Sequence, residues 1–248
     1  MKKIIICGDS FNSDDPDYGE LHWSHKLKKL IPDSELINLS VPGASNFLIH
    51  AQIDHAITLN PDWIIVGFTS SLRNDFKYKG KQKTNILLDR FFKLGQDNSN
   101  ADLISVPYSV LEKFKVEKSL LQLLKQYLVE CLDLDIERLK NYYIISDSLN
   151  TLADSNIKFL YTSGGFDHPS FMKDGEVRYQ LQKFKSQEMS INLWDFHKDC
   201  NDFRPYFHIL DDEEHWKFAK YLGKIISESV DIDLNTLYNS SKTSHPRL

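Results

Sequence analysis

A serine at position 10 follows directly on Gly8-Asp9, and the triplet closes an apolar run, Ile4-Ile5-Ile6-Cys7. A hydroxyl in that place is a nucleophile wherever a histidine reaches it. The run is rich in β-branched residues and reads as a buried strand. The glycine permits a tight turn. The serine is left at the strand's carboxyl end, the edge where open α/β sheets hold ligands and catalytic groups. Gly, Asp and Ser are also ordinary turn formers, so the triplet alone describes a turn as well as a nucleophile. A second turn carries matching chemistry. Asn38-Leu39-Ser40-Val41-Pro42-Gly43 follows a second apolar run, and Gly43 falls between that run and a helix. A backbone N–H placed there can face the same crevice as Ser10 and stabilise negative charge developing on an oxygen, the largest usual contribution in acyl transfer.

These turns need a sheet to bring them together. Strand-like runs fall at 3–7, 35–40, 62–69, 158–162 and 191–196. Between the second and third, Phe47, Ile49, Ile53, Ala56 and Ile57 roughly suit one face of a helix over 46–60, which Pro61 ends. This alternation predicts an α/β fold of three layers, α/β/α and flavodoxin-like, a parallel sheet flanked by helices. A single domain over 1–230 is expected, with a polar tail over 231–248. Two regions interrupt the rhythm. Residues 76–107 open with Lys77, Lys79, Lys81 and Lys83 and include Gly95-Gln96-Asp97-Asn98-Ser99-Asn100. They read as a long inserted loop near the sheet's carboxyl edge, either a lid or a solvated insertion. Residues 110–154 read as a packed helical pair, one helix carrying Leu120, Leu121, Leu123, Leu124, Tyr127, Leu128 and Leu132 and the other spanning 136–152. His22 and His25 stand i, i+3 on a further helix and read as exposed rather than as a metal pair.

Composition narrows the class. The chain has 248 residues, 41% hydrophobic and 12% aromatic, enough for a sizeable core. A net charge of −5 gives no electrostatic case for nucleic acid or an anionic membrane surface. Cys7, Cys131 and Cys200 are few and widely spaced, and read as reduced thiols. No Cys/His spacing resembles a zinc site. The absence of a glycine-rich phosphate loop argues against a flavodoxin-like nucleotide binder. The apolar run after Met1-Lys2-Lys3 stops at Gly8, too short for a signal peptide, and no stretch reaches membrane-spanning length. The expected location is cytoplasmic. The oligomeric state stays open.

In the order of these pieces the chain resembles the SGNH hydrolases, also called the GDSL family, over residues 1–75 and 190–229. Gly8-Asp9-Ser10 matches the family's first block. Asn38 through Gly43 matches its second, with Ser40 in place of the first glycine. The third block is Gly-x-Asn-Asp after a strand opening with Pro-Asp. Pro61-Asp62-Trp63-Ile64-Ile65-Val66 suits the strand, but the family's asparagine falls on Ser71 and an Asn-Asp pair stands three residues later, at Asn74-Asp75. On one helical turn Ser71 and Asn74 share a face. The resemblance implies an oxyanion site made of the Ser10 and Gly43 N–H groups with Asn74, or alternatively Ser71, as side-chain donor. Arg73 is a candidate for an anionic part of a substrate. The run from Thr69-Ser70 to Arg73 is similar to that in SGNH-like proteins encoded by bacterial viruses.

The last block, Asp-x-x-His before the final helix, has a literal match in Asp212-Glu213-Glu214-His215. Asp211 and Glu214 read as a capping box, which sets His215 inside the helix's first turn. The family's histidine lies in the loop before that cap, where this chain has His208. Pro205 takes the place of the triad aspartate, and Asp202 is the nearest acid upstream. His208 is therefore the expected base, with the pair Asp212 and His215 as the alternative. The implied activity is ester hydrolysis through an acyl-enzyme, on small acyl esters such as O-acetyl groups on carbohydrate, with neither metal nor organic cofactor needed. Two irregular blocks also fit a non-catalytic binding or structural module with a degenerate site.

Overall fold

Ile4, Ile5, Ile6 and Cys7 are wholly buried in the computed structural model, on both faces of one strand. The structure describes residues 1–13, 20–69, 75–78, 102–105, 133–162, 181, 183–189 and 212–228, with 119, 122, 123, 126 and 130. Strand β1, Lys2–Cys7, runs parallel to β2, Ser34–Asn38, on one side and to β3, Trp63–Gly67, on the other. β3 in turn pairs in parallel with a strand over Lys158–Thr162. A strand with neighbours on both sides and helices above and below has no polar face, which is why β1 and β3 are continuous apolar runs.

Alternate residues of β1 feed two cores. Ile5 and Cys7, with Ile64 and Val66 of β3, meet Leu48, Ile49, Ile53 and Ala56 of helix α2, Asn46–Thr58. Ile4, Ile6 and Ile65 meet Trp23 and Leu27 of helix α1, Trp23–Leu30. Past β3 the chain forms two short strands, β4 (Asp75–Tyr78) and β5 (Asp102–Ser105), then helix α3 (Leu134–Asp154) and strand β6 (Lys158–Thr162). Ile145, Leu149 and Leu152 of α3 join the core under α2. The last described helix, α4 (Asp212–Glu228), lies with α1 and adds Phe218, Leu222, Ile225 and Ile226 to the other core. Each such side chain withdrawn from water contributes about 1.5–3 kcal/mol. The fold is the three-layer α/β/α arrangement, with sheet order β2-β1-β3-β6.

Several expectations shift. β2 stops at Asn38, two residues short; beyond it the Ser40 N–H is taken by the Asn38 side chain. α2 ends at Thr58, before Pro61, and Asn60 adopts a left-handed φ of 47°. Phe47 is 51% exposed rather than on the core face. It stands two residues before Ile49, about 200° round a helix of 3.6 residues per turn. The region 76–107 is bounded by structure rather than being all loop, since β4 and β5 pair antiparallel from Asp75↔Ser105 to Tyr78↔Asp102. Ser119, Gln122, Leu123, Gln126 and Glu130 are helical and exposed, Leu123 among them despite its place in the leucine pattern. The strand expected at 191–196 and the tail at 231–248 lie outside the described residues. Among the described residues no helix is long and apolar enough to cross a membrane.

Candidate active site

The carboxyl end of β1 folds around the side chain of Asp9. This carboxylate is buried, and its two oxygens accept from the Phe11 N–H (3.0 Å) and the Thr69 hydroxyl (2.8 Å). Its backbone oxygen accepts from the N–H groups of Asn12 and Ser13, at 3.1 and 2.9 Å. The turn so formed leaves Ser10 half-buried at its apex. Because β2 and β3 lie on opposite sides of β1, the strand order reverses here, and the crevice beyond such a point is where α/β sheets bind ligands.

The loop after β2 is fastened to the same turn. Leu39 N–H donates to the Ile6 carbonyl (2.8 Å) and Val41 N–H to the Gly8 carbonyl (3.0 Å). The Asn38 amide bridges the two, donating to the Asn12 carbonyl at 2.7 Å and accepting from Ser40 N–H at 3.0 Å. Gly43 has φ +83°, a conformation that a side chain would strain. Ser10 and Gly43 thus stand on one edge, at the ends of adjacent strands. From below, Gln52 of α2 grips Gly8 at both ends, its Oε1 accepting the N–H at 2.7 Å and its Nε2 donating to the carbonyl at 3.2 Å. Asn46 does the same for Thr69, accepting the N–H and donating to the carbonyl at 2.8 and 2.9 Å, and reaches Asn141 of α3. The sequence reading missed both. Their signal was a polar residue on the apolar face of α2.

His215 occupies the fourth position of α4, as the capping reading requires, and is buried. Its Nδ1 accepts from the backbone N–H of Trp23 at 3.1 Å. Asp212 forms an ion pair with Lys26, whose ammonium also lies 4.8 Å from the centroid of the Trp216 ring. Asp212 and His215 are thus both engaged with α1. His22, expected to be exposed, is instead buried. It is the N-cap of α1, its Nδ1 accepting from Ser24 N–H at 3.3 Å while Nε2 faces the Phe11 carbonyl at 3.3 Å. Burial, reinforced by the neighbouring His215 ring, brings its pKa down to about 3. The Cys7 thiol is buried and pushed well above its ordinary value by desolvation. Ser71, Arg73, Asn74, Asp202, Pro205 and His208 lie outside the described residues. Among the described residues no group of three His, Cys, Asp or Glu could hold a metal ion.

A four-stranded parallel sheet in this order, flanked by helices, is the three-layer α/β/α fold that SGNH, or GDSL, hydrolases have. The chain is similar to the psychrotrophic esterase EstA from Pseudoalteromonas sp., inhibited by monoethylphosphonate, at TM-score 0.50 and 11% identity over 94% of this chain and 100% of that one. It is also similar to an acetyl xylan esterase, AlAXEase (TM-score 0.47, 13% identity, 90% and 99% covered), and to a putative lipolytic protein of the G-D-S-L family from Desulfitobacterium hafniense DCB-2 (0.45, 9%, 91% and 99%). At such identities the likeness is one of fold. No family model matches the sequence, and no curated protein does.

Proposed function

We propose that the protein is a serine ester hydrolase acting on small acyl esters, O-acetyl groups on carbohydrate among them. The observation that carries the reading is the joining of the Ser10 and Gly43 turns at the ends of β1 and β2, through Val41 N–H to the Gly8 carbonyl and the Asn38 bridge. In this mechanism Ser10 Oγ attacks the acyl carbonyl and its proton passes to an imidazole. The carbonyl oxygen takes up negative charge and accepts from the N–H groups of Ser10 and Gly43, joined by the Asn74 amide or, failing that, the Ser71 hydroxyl. Collapse expels the alcohol, which takes the proton, and water then releases the acyl group by the reverse path.

His208 is the proposed base. What supports it over His215 is tautomer chemistry. A triad histidine carries its proton on Nδ1, pointed at an acid or carbonyl, and takes the second proton on Nε2. His215 accepts on Nδ1, so its ring proton is on Nε2, and Asp212 is paired with Lys26 instead of lying behind the ring.

The test is Ser10→Ala. Hydrolysis of p-nitrophenyl acetate by the purified protein is expected to fall by at least about 10³-fold, because a nucleophile and its base act as a unit. The thermal midpoint should hold, since Ser10 is half-buried at a turn apex. Equal turnover by mutant and parent would remove Ser10 from the reaction. A parent with no turnover, and no labelling by a fluorophosphonate, would favour a binding module on this fold.

A further inference from the structure

We propose that His22 and Trp23 are positioning residues for Ser10, acting through the carbonyl of Phe11. The inference rests on the reading of Ser10 as nucleophile. Phe11 is the next residue along, and its carbonyl oxygen accepts two ring N–H groups, His22 Nε2 at 3.3 Å and Trp23 Nε1 at 3.2 Å. A carbonyl has two acceptor positions, and both are taken by planar donors. The tautomer of His22 follows from its other nitrogen. Nδ1 accepts from Ser24 N–H, so the proton is on Nε2 and is donated to Phe11. The Phe11 N–H is held by Asp9 at 3.0 Å. The peptide units on both sides of Phe11 are therefore fixed, one by an acid from within the turn and one by two rings from α1.

The clamp has a support of its own. Trp23 offers its indole N–H to Phe11 and its backbone N–H to His215 Nδ1, so α4 holds the start of α1 while α1 holds the turn. The two imidazoles lie 5.5 Å apart, centre to centre, tilted by 58°. Trp23 is wholly buried and packs edge-on to Phe218, at 5.0 Å. A ring wedged in this way cannot swing, and neither can the carbonyl it holds. Neither His22 nor Trp23 is proposed to touch the reacting atoms. Their effect is on where the Ser10 hydroxyl stands, and misplacement by about 1 Å can cost about 10²-fold in rate.

The experiment separates placement from stability by pairing two substitutions of His22. His22→Asn keeps a strong N-cap for α1 but is too short to reach Phe11. His22→Gln carries an amide that extends to where Nε2 stands, and is the poorer cap. Trp23→Phe removes the N–H and keeps a smaller ring at a wholly buried position, so its rates are read beside its thermal midpoint. The readouts are the rate of Ser10 labelling by a fluorophosphonate, kcat and KM for p-nitrophenyl acetate, and the thermal midpoint. Positioning predicts that H22N is the more stable variant and H22Q the faster one. It also predicts that W23F slows labelling and kcat by about tenfold with KM changed less than about twofold. Rates that follow stability, or a W23F protein that labels like its parent, overturn the proposal. W23F decides the matter alone if H22N does not fold. A parent protein that is never labelled overturns the nucleophile reading and this inference with it, which is a different outcome from a labelled parent with unaffected variants.

Discussion

An imidazole that accepts on Nδ1 cannot at the same moment offer an empty Nε2 to a serine, because a neutral ring carries one proton and must place it somewhere. This is the ground on which His208 is proposed over His215, two histidines that the sequence leaves as rivals. His208→Asn is expected to abolish ester turnover by about 10²–10⁴-fold, the usual worth of a positioned base. His215→Asn is expected to keep most of it, because the Asn oxygen stands close to where Nδ1 stood and still accepts the Trp23 N–H. His215→Leu removes that acceptor and leaves a buried N–H unpaired, a loss of about 1–3 kcal/mol in urea unfolding. An inactive H215N beside an active H208N would return the role to the literal Asp212-x-x-His215 motif. The turns that carry Ser10 and Gly43 are legible in the sequence, because turn chemistry is local and a few adjacent residues suffice to express it. It does not show what His215 does, since Trp23 lies 192 positions away and backbone donors leave no mark in a sequence.

Helix α1 shows how an element's end comes to hold the turn of a candidate site. Its first N–H groups have no partner within the helix and must find one. Trp23 N–H goes to His215, Ser24 N–H to the ring of His22, and those of His25 and Lys26 to the His22 carbonyl, at 3.1 and 3.4 Å. The cap is an imidazole instead of the usual Ser, Thr, Asp or Asn, so this helix start was legible only as two histidines at a spacing of three. It also makes the element sensitive to acid. In the unfolded chain His22 titrates near the ordinary value of about 6.5, whereas in the fold burial holds it down to about 3. Between those values the unfolded chain binds the extra proton, so stability falls as pH drops through this window, by up to about 1.4 kcal/mol per unit for this one group. Urea midpoints at pH 7 and pH 5 should therefore differ more in the parent than in H22N, which has nothing to titrate there. Equal differences would assign the acid sensitivity to other groups.

At the scale of the whole molecule the sheet was the most legible part, because strands buried on both faces must be continuous apolar runs, and β1, β3 and β6 are. The layers followed from the alternation of runs and helices. What could not be read is how closely the strands' carboxyl ends approach one another. Asn12 shows this. Its amide lies between Gly8 and Gly67, at the ends of β1 and β3, and donates to the Cys7 carbonyl at 3.4 Å. A methyl group at position 67 would fall onto that amide, with Asn12 Cγ 2.9 Å away. Asn12 is buried and has no solvent into which to retreat. Gly67→Ala is therefore expected to cost about 1–3 kcal/mol, the usual range for overfilling a packed site. Asn12→Ala alone loses a long hydrogen bond and some packing, and is expected to cost about 1–2 kcal/mol. The Asn12 backbone carbonyl still accepts from Asn38, so the turn persists. The double mutant removes the side chain that the new methyl strikes. Its cost should fall short of the sum of the singles by at least about 1 kcal/mol, well beyond the few tenths within which independent sites add. Strict additivity in urea unfolding would mean that glycine is required at position 67 by the backbone itself, and that the join between the two halves of the sheet does not depend on the space Asn12 fills.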